Sequence, residues 1–272
     1  MLILASKIYT GREVLGSGYI YIEDGIVKDL GEGAPPEEET YITVVLGGEG
    51  RVAAPGLALA ASPISYMLKP YMVSPEDKLR LLKSIDLETL FTISLPAVYE
   101  LHIYGVTTIF VESSSVDLPL MLAEKVGGLY GLALDSCWTL IETPKKPPKL
   151  AGLVRAGQCG GPEMMAGLLF SPSTLKTPWS VSESTRKSAG IGEGVIKEGR
   201  RAEIAIFNFS RPPGMLLYKA DIDLNMLYSL GLKVETLISG EDVLVDGGEH
   251  LYIVDSHFKE ATRIADRILS YH

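Results

Sequence analysis

The segment RVAAPGLALAASPI, from Arg51 to Ile64, constrains the fold more than any other part of the sequence. A charged residue and a short run of small apolar residues precede the pair Pro55-Gly56, and a second apolar run follows it. Proline and glycine mark a turn, and the apolar run behind them is typical of a buried strand. The segment therefore predicts a junction between a strand-rich N-terminal part and a helix-rich middle part of the chain.

The residues before this junction predict a small antiparallel sheet. Asp24-Gly25 is a hairpin turn signal between two alternating segments. The acidic residues 31–40, which include Pro35-Pro36, are expected to form a loop. The predicted strands are Leu2 to Tyr9, Tyr19 to Glu23, Ile26 to Leu30 and Tyr41 to Leu46.

The middle of the chain alternates helix and strand signals. Ser74-Pro75-Glu76-Asp77 combines an N-cap serine, a proline at the first helical position and acids in the first turn, so a helix is expected to about Ser84. The β-branched run VTTIFV, Val106 to Val111, is typical of a buried parallel strand, and parallel strands imply right-handed crossovers. The other predictions are helices at Leu87 to Tyr104 and Leu118 to Val126, and strands at Leu129 to Leu134 and Leu153 to Ala156.

The C-terminal third predicts strands and a terminal amphipathic helix. The strands are Ile204 to Phe209, Val234 to Ile238 and Asp242 to Val245, preceded by a short helix from Ser182 to Ser188. The helix from His257 to Tyr271 places five apolar side chains on one face. These are Phe258, Ala261, Ile264, Ala265 and Ile268.

Composition restricts the class of protein. Apolar residues make up 46% of the chain, which is typical of a globular protein. The net charge of −9 and pI near 5.1 argue against binding to nucleic acid or anionic membranes. The N-terminal MLILASK is too short for a signal peptide, and Pro55 and Pro63 interrupt the uncharged stretch 52–68, so no membrane span is expected.

Rare residue types suggest the cellular setting. Cys137 and Cys159 are the two cysteines and do not make a disulfide framework, so a cytoplasmic chain with free thiols is expected. Gln158 is the single glutamine, and Asn208 and Asn225 are the two asparagines. Scarcity of these heat-labile amides favours a thermophilic source.

Several motifs together resemble the amidohydrolase superfamily, in its cytosine deaminase and chlorohydrolase branch. The N-terminal IEDGIV motif, the Pro55-Gly56 junction and the strand after Gly105 have counterparts in that branch. The stretch Gly194 to Glu203, GVIKEGRRAE, is similar to the family's return from barrel to sandwich, with Glu203 in place of an aspartate. Residues 234–247 resemble its closing hairpin.

The resemblance implies an α/β plus β fold with two parts. Residues 1–54 and 195–272 would form a composite β-sandwich domain with a C-terminal helix, and residues 55–194 a truncated (β/α) barrel-like domain. An eight-stranded barrel takes about 250 residues, whereas the middle segment supplies about 140. We therefore expect an incomplete barrel of about three to five strands.

The resemblance also implies a metal site that this chain lacks. In the family, the first barrel strand ends in a His-x-His pair that holds a divalent metal, and these two positions fall on Ala61 and Pro63. Neither residue can ligate a metal. The four histidines lack the spacing of a His-based site, so no metal and no other cofactor are expected. They are His102, His250, His257 and His272.

Other residues are weak catalytic candidates. Glu112 and Asp135 follow predicted parallel strands, where barrel enzymes place functional groups, and could act as acid and base or simply cap loops. Cys159 lies in the glycine turn Gly157 to Gly161, where backbone amides could lower a thiol pKa, although a buried inert thiol is the plainer interpretation. The same turn could cradle an anion, but it lacks the Lys-Ser/Thr of a P-loop.

Two functional hypotheses follow. The first is an amidohydrolase-like protein that has lost metal-dependent catalysis and has a structural, binding or regulatory role. The alternative is a hydrolase or deaminase acting on non-peptide C–N bonds of a small cyclic or amide substrate. An incomplete barrel leaves an open sheet edge, so a homodimer is expected, with a small-molecule ligand as a further partner.

Overall fold

The computed structural model describes residues 1–37, 44–61, 66–67, 81, 84–113, 115–134, 137–141, 153–156, 177–212, 214–215 and 217–270. The described residues contain fourteen strands and five α-helices. The strands are β1 Leu2–Tyr9, β2 Val14–Leu15, β3 Gly18–Glu23, β4 Ile26–Glu32, β5 Val45–Pro55, β6 Leu57–Ala61, β7 Val106–Glu112, β8 Leu129–Leu134, β9 Cys137–Ile141, β10 Leu153–Ala156, β11 Glu203–Asn208, β12 Thr236–Ser239, β13 Asp242–Asp246 and β14 Glu249–His250. The helices are α1 Leu87–Ile103, α2 Asp117–Lys125, α3 Pro178–Ala189, α4 Leu224–Ser229 and α5 Asp255–Ser270.

Both ends of the chain contribute strands to one nine-stranded sheet. Its order is β14-β13-β12-β11-β5-β1-β3-β4, and β2 pairs with β1. The two chain ends meet where β5 pairs antiparallel with β11, with Ala54 opposite Ala205. Because this pairing joins residues about 150 positions apart, neither half of the sheet is complete without the other.

The hairpin signal at Asp24-Gly25 is confirmed. Strands β3 and β4 pair antiparallel, with Glu23 opposite Ile26. Asp24 has a φ of 52° and Gly25 a φ of 73°. A two-residue hairpin turn with positive φ at both central positions matches the twist of the flanking strands, and Asp-Gly is among the sequences that tolerate it.

The middle of the chain forms a second, five-stranded sheet in the order β10-β9-β8-β7-β6. Strands β6, β7 and β8 are parallel, as predicted, and β7 and β8 are joined through α2. The sequence patterns do not predict β9, which pairs antiparallel with both β8 and β10. Only two residues separate β8 from β9, which is too few for a parallel crossover.

One predicted strand has different bounds in the structure, and one predicted helix is not tested by it. The strand predicted at Tyr41 to Leu46 is β5, which begins at Val45 and continues to Pro55. Glycines 47, 48 and 50 have positive φ values, and the pairing of β5 with β1 has a register irregularity in this part of the strand. Of the helix predicted from Ser74 to Ser84, nearly all lies outside the described residues.

Helix α4 is not predicted from the sequence patterns. The side chain of Asp223 accepts a hydrogen bond from the backbone N–H of Met226 at 2.7 Å. Such a cap satisfies one of the unpaired donors of the first turn. The helix has only six residues, which is too short for a clear apolar period.

The apolar core lies against both sheets. Helix α5 buries Ala261, Ile264 and Ala265, while Phe258 and Ile268 pack beside them, so its predicted apolar face is confirmed. A second apolar cluster lies within the nine-stranded sheet and includes Ile3, Ile20 and Ile204. Among the described residues, the structure has no helix with the length and apolarity needed to span a membrane.

The predicted junction passes the chain from one sheet to the other within a single residue. Strand β5 ends at Pro55 and β6 begins at Leu57, so Gly56 is the single residue between these two strands. Its N–H donates to the carbonyl of Glu203 at 2.8 Å. A Cβ at Gly56 would lie 2.3 Å from the Thr107 side chain, a distance that real Cβ atoms do not reach. Only glycine therefore fits between β11 and β7.

We expect Gly56→Ala to destabilise the protein by about 1–3 kcal/mol, because the added methyl group must push β7 away from the junction. Denaturant unfolding with equal m-values for both proteins measures the difference. Gly16→Ala is the matched control, because a Cβ there would meet only the flexible end of Glu32, at 3.2 Å. Equal losses in the two variants would contradict the packing argument.

Candidate functional site

The carboxyl ends of β6, β7 and β8 form the edge where the sequence predicted functional groups. Ala61 is the last residue of β6 and lies opposite Val111, and Glu112 ends β7 opposite Ala133. This carboxyl edge is where parallel α/β sheets hold their ligands. Alanine therefore stands at the last position of the first parallel strand, as the motif alignment predicted.

Glu112 is the one weak catalytic candidate that falls within the described residues. It is half-buried, and the following Ser113 is 1% exposed. The hydroxyl of Ser113 accepts the N–H of Ser115 at 3.2 Å, and that of Ser115 accepts the N–H of Asp117 at 3.1 Å. These bonds order the loop between β7 and α2. The carboxyl group of Glu112 can accept a proton when it is ionised and donate one when it is protonated.

The other candidates cannot be placed against Glu112. Pro63, Asp135, Cys159 and the glycine turn 157–161 lie outside the described residues, as does His272. Cys137 lies in β9, which pairs with β8. Among the described residues, no three or more His, Cys, Asp or Glu side chains are grouped so that they could hold a metal ion.

Two histidines that are far apart in sequence meet in the core. Nδ1 of His102, in α1, lies 2.9 Å from Nε2 of His250, in β14, and both side chains are buried. His102 is close to the start of β8, because a Cβ at Gly128 would lie 3.7 Å from its Nε2. The pair is therefore at the amino edge of the parallel strands. Seven-residue β7 separates the two edges by about 20 Å, so this pair cannot serve a site at the carboxyl edge.

The hydrogen bonds of this pair assign its protons. Nδ1 of His250 accepts the backbone N–H groups of Tyr252 and Ile253, each at 3.1 Å, so this nitrogen is unprotonated. Neutral His250 then carries its proton on Nε2 and donates it to His102. The proton of His102 is on its own Nε2, which has no hydrogen-bond partner among the described residues. The hydroxyl of Tyr130 is also buried without a hydrogen-bond partner among the described residues. The ring centroids of Tyr130 and His102 are 6.2 Å apart.

Burial controls the ionisation of both histidines. Desolvation, and secondarily the neighbouring His250, lowers the pKa of His102 well below its ordinary value. Desolvation, with a smaller effect of His257, lowers the pKa of His250 to about 4. Both imidazoles are therefore neutral at pH 7. The pair is a packing element that tolerates no charge.

A buried ion pair lies at the same amino edge. Arg186, in α3, is 4% exposed and pairs with Glu203, the first residue of β11. The hydroxyls of Thr107 and Thr108 donate to Oε2 of Glu203, each at 3.1 Å. Arg186 also donates to the carbonyl of Gly56 at 3.2 Å. These contacts join α3, β7, β11 and the junction glycine in one network.

The ionisation of Glu203 depends on this network. Burial alone would raise the pKa of Glu203, but the charge and hydrogen bond of Arg186, aided by Arg201 and Thr108, hold it below its ordinary value. The sequence signalled Glu203 only through its motif position. The sequence did not indicate Arg186 as the partner of Glu203. It also did not predict the contact between His102 and His250, because 148 positions separate them.

Comparison with known proteins shows the fold. The sequence matches no family model and no curated relative. Among solved structures, it is similar to a zinc-complexed atrazine chlorohydrolase from Arthrobacter aurescens, with 11% identity over 97% of this chain and 99% of that chain and a TM-score of 0.63. It is also similar to a zinc-bound adenosine deaminase from Xanthomonas campestris, with 10% identity over 99% and 98% and a TM-score of 0.66. An E. coli guanine deaminase gives 11% identity over 90% and 99% and a TM-score of 0.58.

We expect the free energy of unfolding to fall as the pH is lowered from 6.5 towards 4. The unfolded histidines bind protons below about pH 6.5, whereas the folded pair resists them, so the unfolded state gains protons first. A shift from 6.5 to about 4 for His250 corresponds to a loss of about 2–3 kcal/mol. Denaturant unfolding at a series of pH values measures this slope.

The variant His250→Gln should make the slope between pH 4.5 and 6.5 shallower, in the range where carboxylates contribute least. Lys259→Gln is the control, since Lys259 is exposed on α5 and outside the pair. A slope that is the same in wild type and His250→Gln would show that the pair does not govern stability in acid.

Proposed function

Because the chain has the fold of zinc-containing hydrolases and deaminases of the amidohydrolase superfamily, we propose that it is an amidohydrolase-like protein without metal-dependent catalysis. Its role would be structural, binding or regulatory. The observation that carries the proposal is Ala61, which stands at the end of β6 where the family's first metal ligand would be. A methyl group has no lone pair to give to a metal.

The positions of the histidines support the same proposal. His102 and His250 lie at the amino edge and bond to each other, and His257 lies in α5. In enzymes of this fold, the metal lowers the pKa of a bound water and supplies the nucleophile at neutral pH. No described histidine is placed where it could hold such a metal at the carboxyl edge.

Elemental analysis of the purified protein tests the proposal. We expect no zinc, iron or nickel in stoichiometric amount, and no change in thermal stability when zinc is added, because a ligand that binds the native state raises its stability. His102→Ala is a useful control, since it removes a buried histidine from outside the carboxyl edge. About one tightly bound metal ion per chain would contradict the proposal.

A second candidate function is hydrolysis or deamination of a non-peptide C–N bond in a small cyclic or amide substrate. It is favoured by the similarity to a chlorohydrolase and two deaminases, and by the half-buried Glu112 at the carboxyl edge. A screen with cyclic amides and aminopurines separates the two functions. Turnover that is abolished by Glu112→Gln would support the enzyme.

We also propose finer divisions of the fold. Residues 1–54 with 195–272 would form the composite β-sandwich domain, and 55–194 the incomplete barrel-like domain. The sandwich is supported by the edge strand β4, which hydrogen-bonds the segment before β11 through Val27 N–H to Arg200 O at 2.9 Å. Through this bond, the strand at one edge of the sheet contacts residues next to the central strand β11. The parallel strands β6 to β8 with their helices support the barrel-like assignment.

We propose a homodimer, because an incomplete barrel leaves a strand edge that needs a cover. Strands β6 and β10 are the two edge strands of the five-stranded sheet among the described residues. Light scattering at micromolar concentration should give twice the chain mass of 29.4 kDa. A monomer at that concentration would mean that another part of the chain covers the edge.

A further inference from the structure

A small cavity at the amino edge is lined by three guanidinium groups. Its volume is about 170 Å³, and it lies beside the Arg186–Glu203 pair. The basic side chains that line it are Arg186, Arg200 and Arg201, and the acidic ones are Glu193 and Glu203. In a chain whose net charge is −9, this concentration of cations around one cavity requires an explanation.

Both carboxylates at the cavity already have a cationic partner. Glu203 pairs with Arg186, and Glu193 pairs with Arg12. Among the described residues, no carboxylate forms an ion pair with Arg200 or Arg201. Positive charge is therefore in excess at the cavity wall.

Two of the guanidinium groups also have an unused donor. The Nε atoms of Arg186 and Arg201 are buried, and neither has a hydrogen-bond partner among the described residues. Nη2 of Arg201 donates to the carbonyl of Ser239, at 3.2 Å, and to its hydroxyl, at 3.5 Å. A buried N–H of a charged group that lacks an acceptor is costly, so both guanidinium groups favour a negative charge nearby.

Two glycines bring backbone against these guanidinium groups. A Cβ at Gly194 would lie 2.5 Å from Nε of Arg186, and one at Gly240 would lie 2.7 Å from Cζ of Arg201. The backbone of these glycines therefore packs against the two guanidinium groups, where a side chain would collide with them. Guanidinium groups fixed in this way offer preorganised donors to a planar or tetrahedral oxyanion.

From these observations, we propose that the cavity between α3 and β11 binds an oxyanion, a phosphate or carboxylate group carried by a small molecule. Arg186, Arg200 and Arg201 line this cavity and give it the positive charge that an oxyanion needs. An adjoining cleft of about 570 Å³ shares Arg186 and Glu193 with the cavity and is lined by Trp179 and Lys187. The rest of the molecule would lie in this cleft. The proposal does not depend on whether the carboxyl edge is catalytic.

Isothermal titration calorimetry with inorganic phosphate and, separately, with acetate tests the site at constant ionic strength set by sodium chloride. We expect saturable binding of at least one of the two anions. Preference for phosphate would identify a phosphorylated ligand, and preference for acetate a carboxylate. Heats no larger than those from chloride would mean that water fills the cavity, and this would overturn the proposal.

Variants separate the site from general charge effects. Arg201→Gln should weaken binding at least about tenfold, because it removes one charged donor from the cavity. Arg267→Gln, on the exposed face of α5, is the matched control and should bind as the wild type does. If Arg201→Gln does not fold, the exposed Arg200→Gln gives the same comparison with a smaller loss. Equal affinity in Arg200→Gln, Arg267→Gln and wild type would contradict the site.

Discussion

The buried pair of Arg186 and Glu203 is the interaction on which the joining of the two sheets depends. Glu203 begins β11 in the nine-stranded sheet, and its carboxylate accepts from Thr107 and Thr108 in the five-stranded one. An ion taken out of water is tolerated only when its partners replace the lost hydration. Here the guanidinium of Arg186 and two hydroxyls do so, and this fixes α3 against the start of β7.

The two edges of the parallel strands therefore carry different kinds of side chain. The amino edge holds the ion pair, the histidine pair and the arginine-lined cavity, and each of these is buried or partly buried. The carboxyl edge, among the described residues, has Ala61 and the half-buried Glu112. The carboxyl edge is where parallel α/β sheets commonly hold their ligands. In this chain the side chains with fixed donors and paired charges are about 20 Å away, at the opposite edge.

The two buried pairs at the amino edge respond to charge in opposite ways. Arg186 and Glu203 are stable because both are ionised, and the pKa of Glu203 is lowered accordingly. His102 and His250 are stable because both are neutral, since a second proton on either ring would create a buried charge without a counter-ion. The amino edge therefore needs one pair charged and the other uncharged. That combination holds near neutral pH and fails in acid.

The sequence by itself determined much of the local structure and the type of side chain at the end of β6. Asp24-Gly25 specified its hairpin, VTTIFV its buried strand and Pro55-Gly56 the junction, because backbone preference and apolar periodicity act over a few residues. Ala61 excluded a histidine ligand at its position, because the identity of a residue alone decides whether it has a lone pair to donate. Only the tertiary structure decided that β5 pairs with β11, that His102 meets His250, and that three arginines surround one cavity. These contacts join positions far apart in the chain, and no local pattern encodes which distant side chain will supply a buried charge or a hydrogen-bond partner.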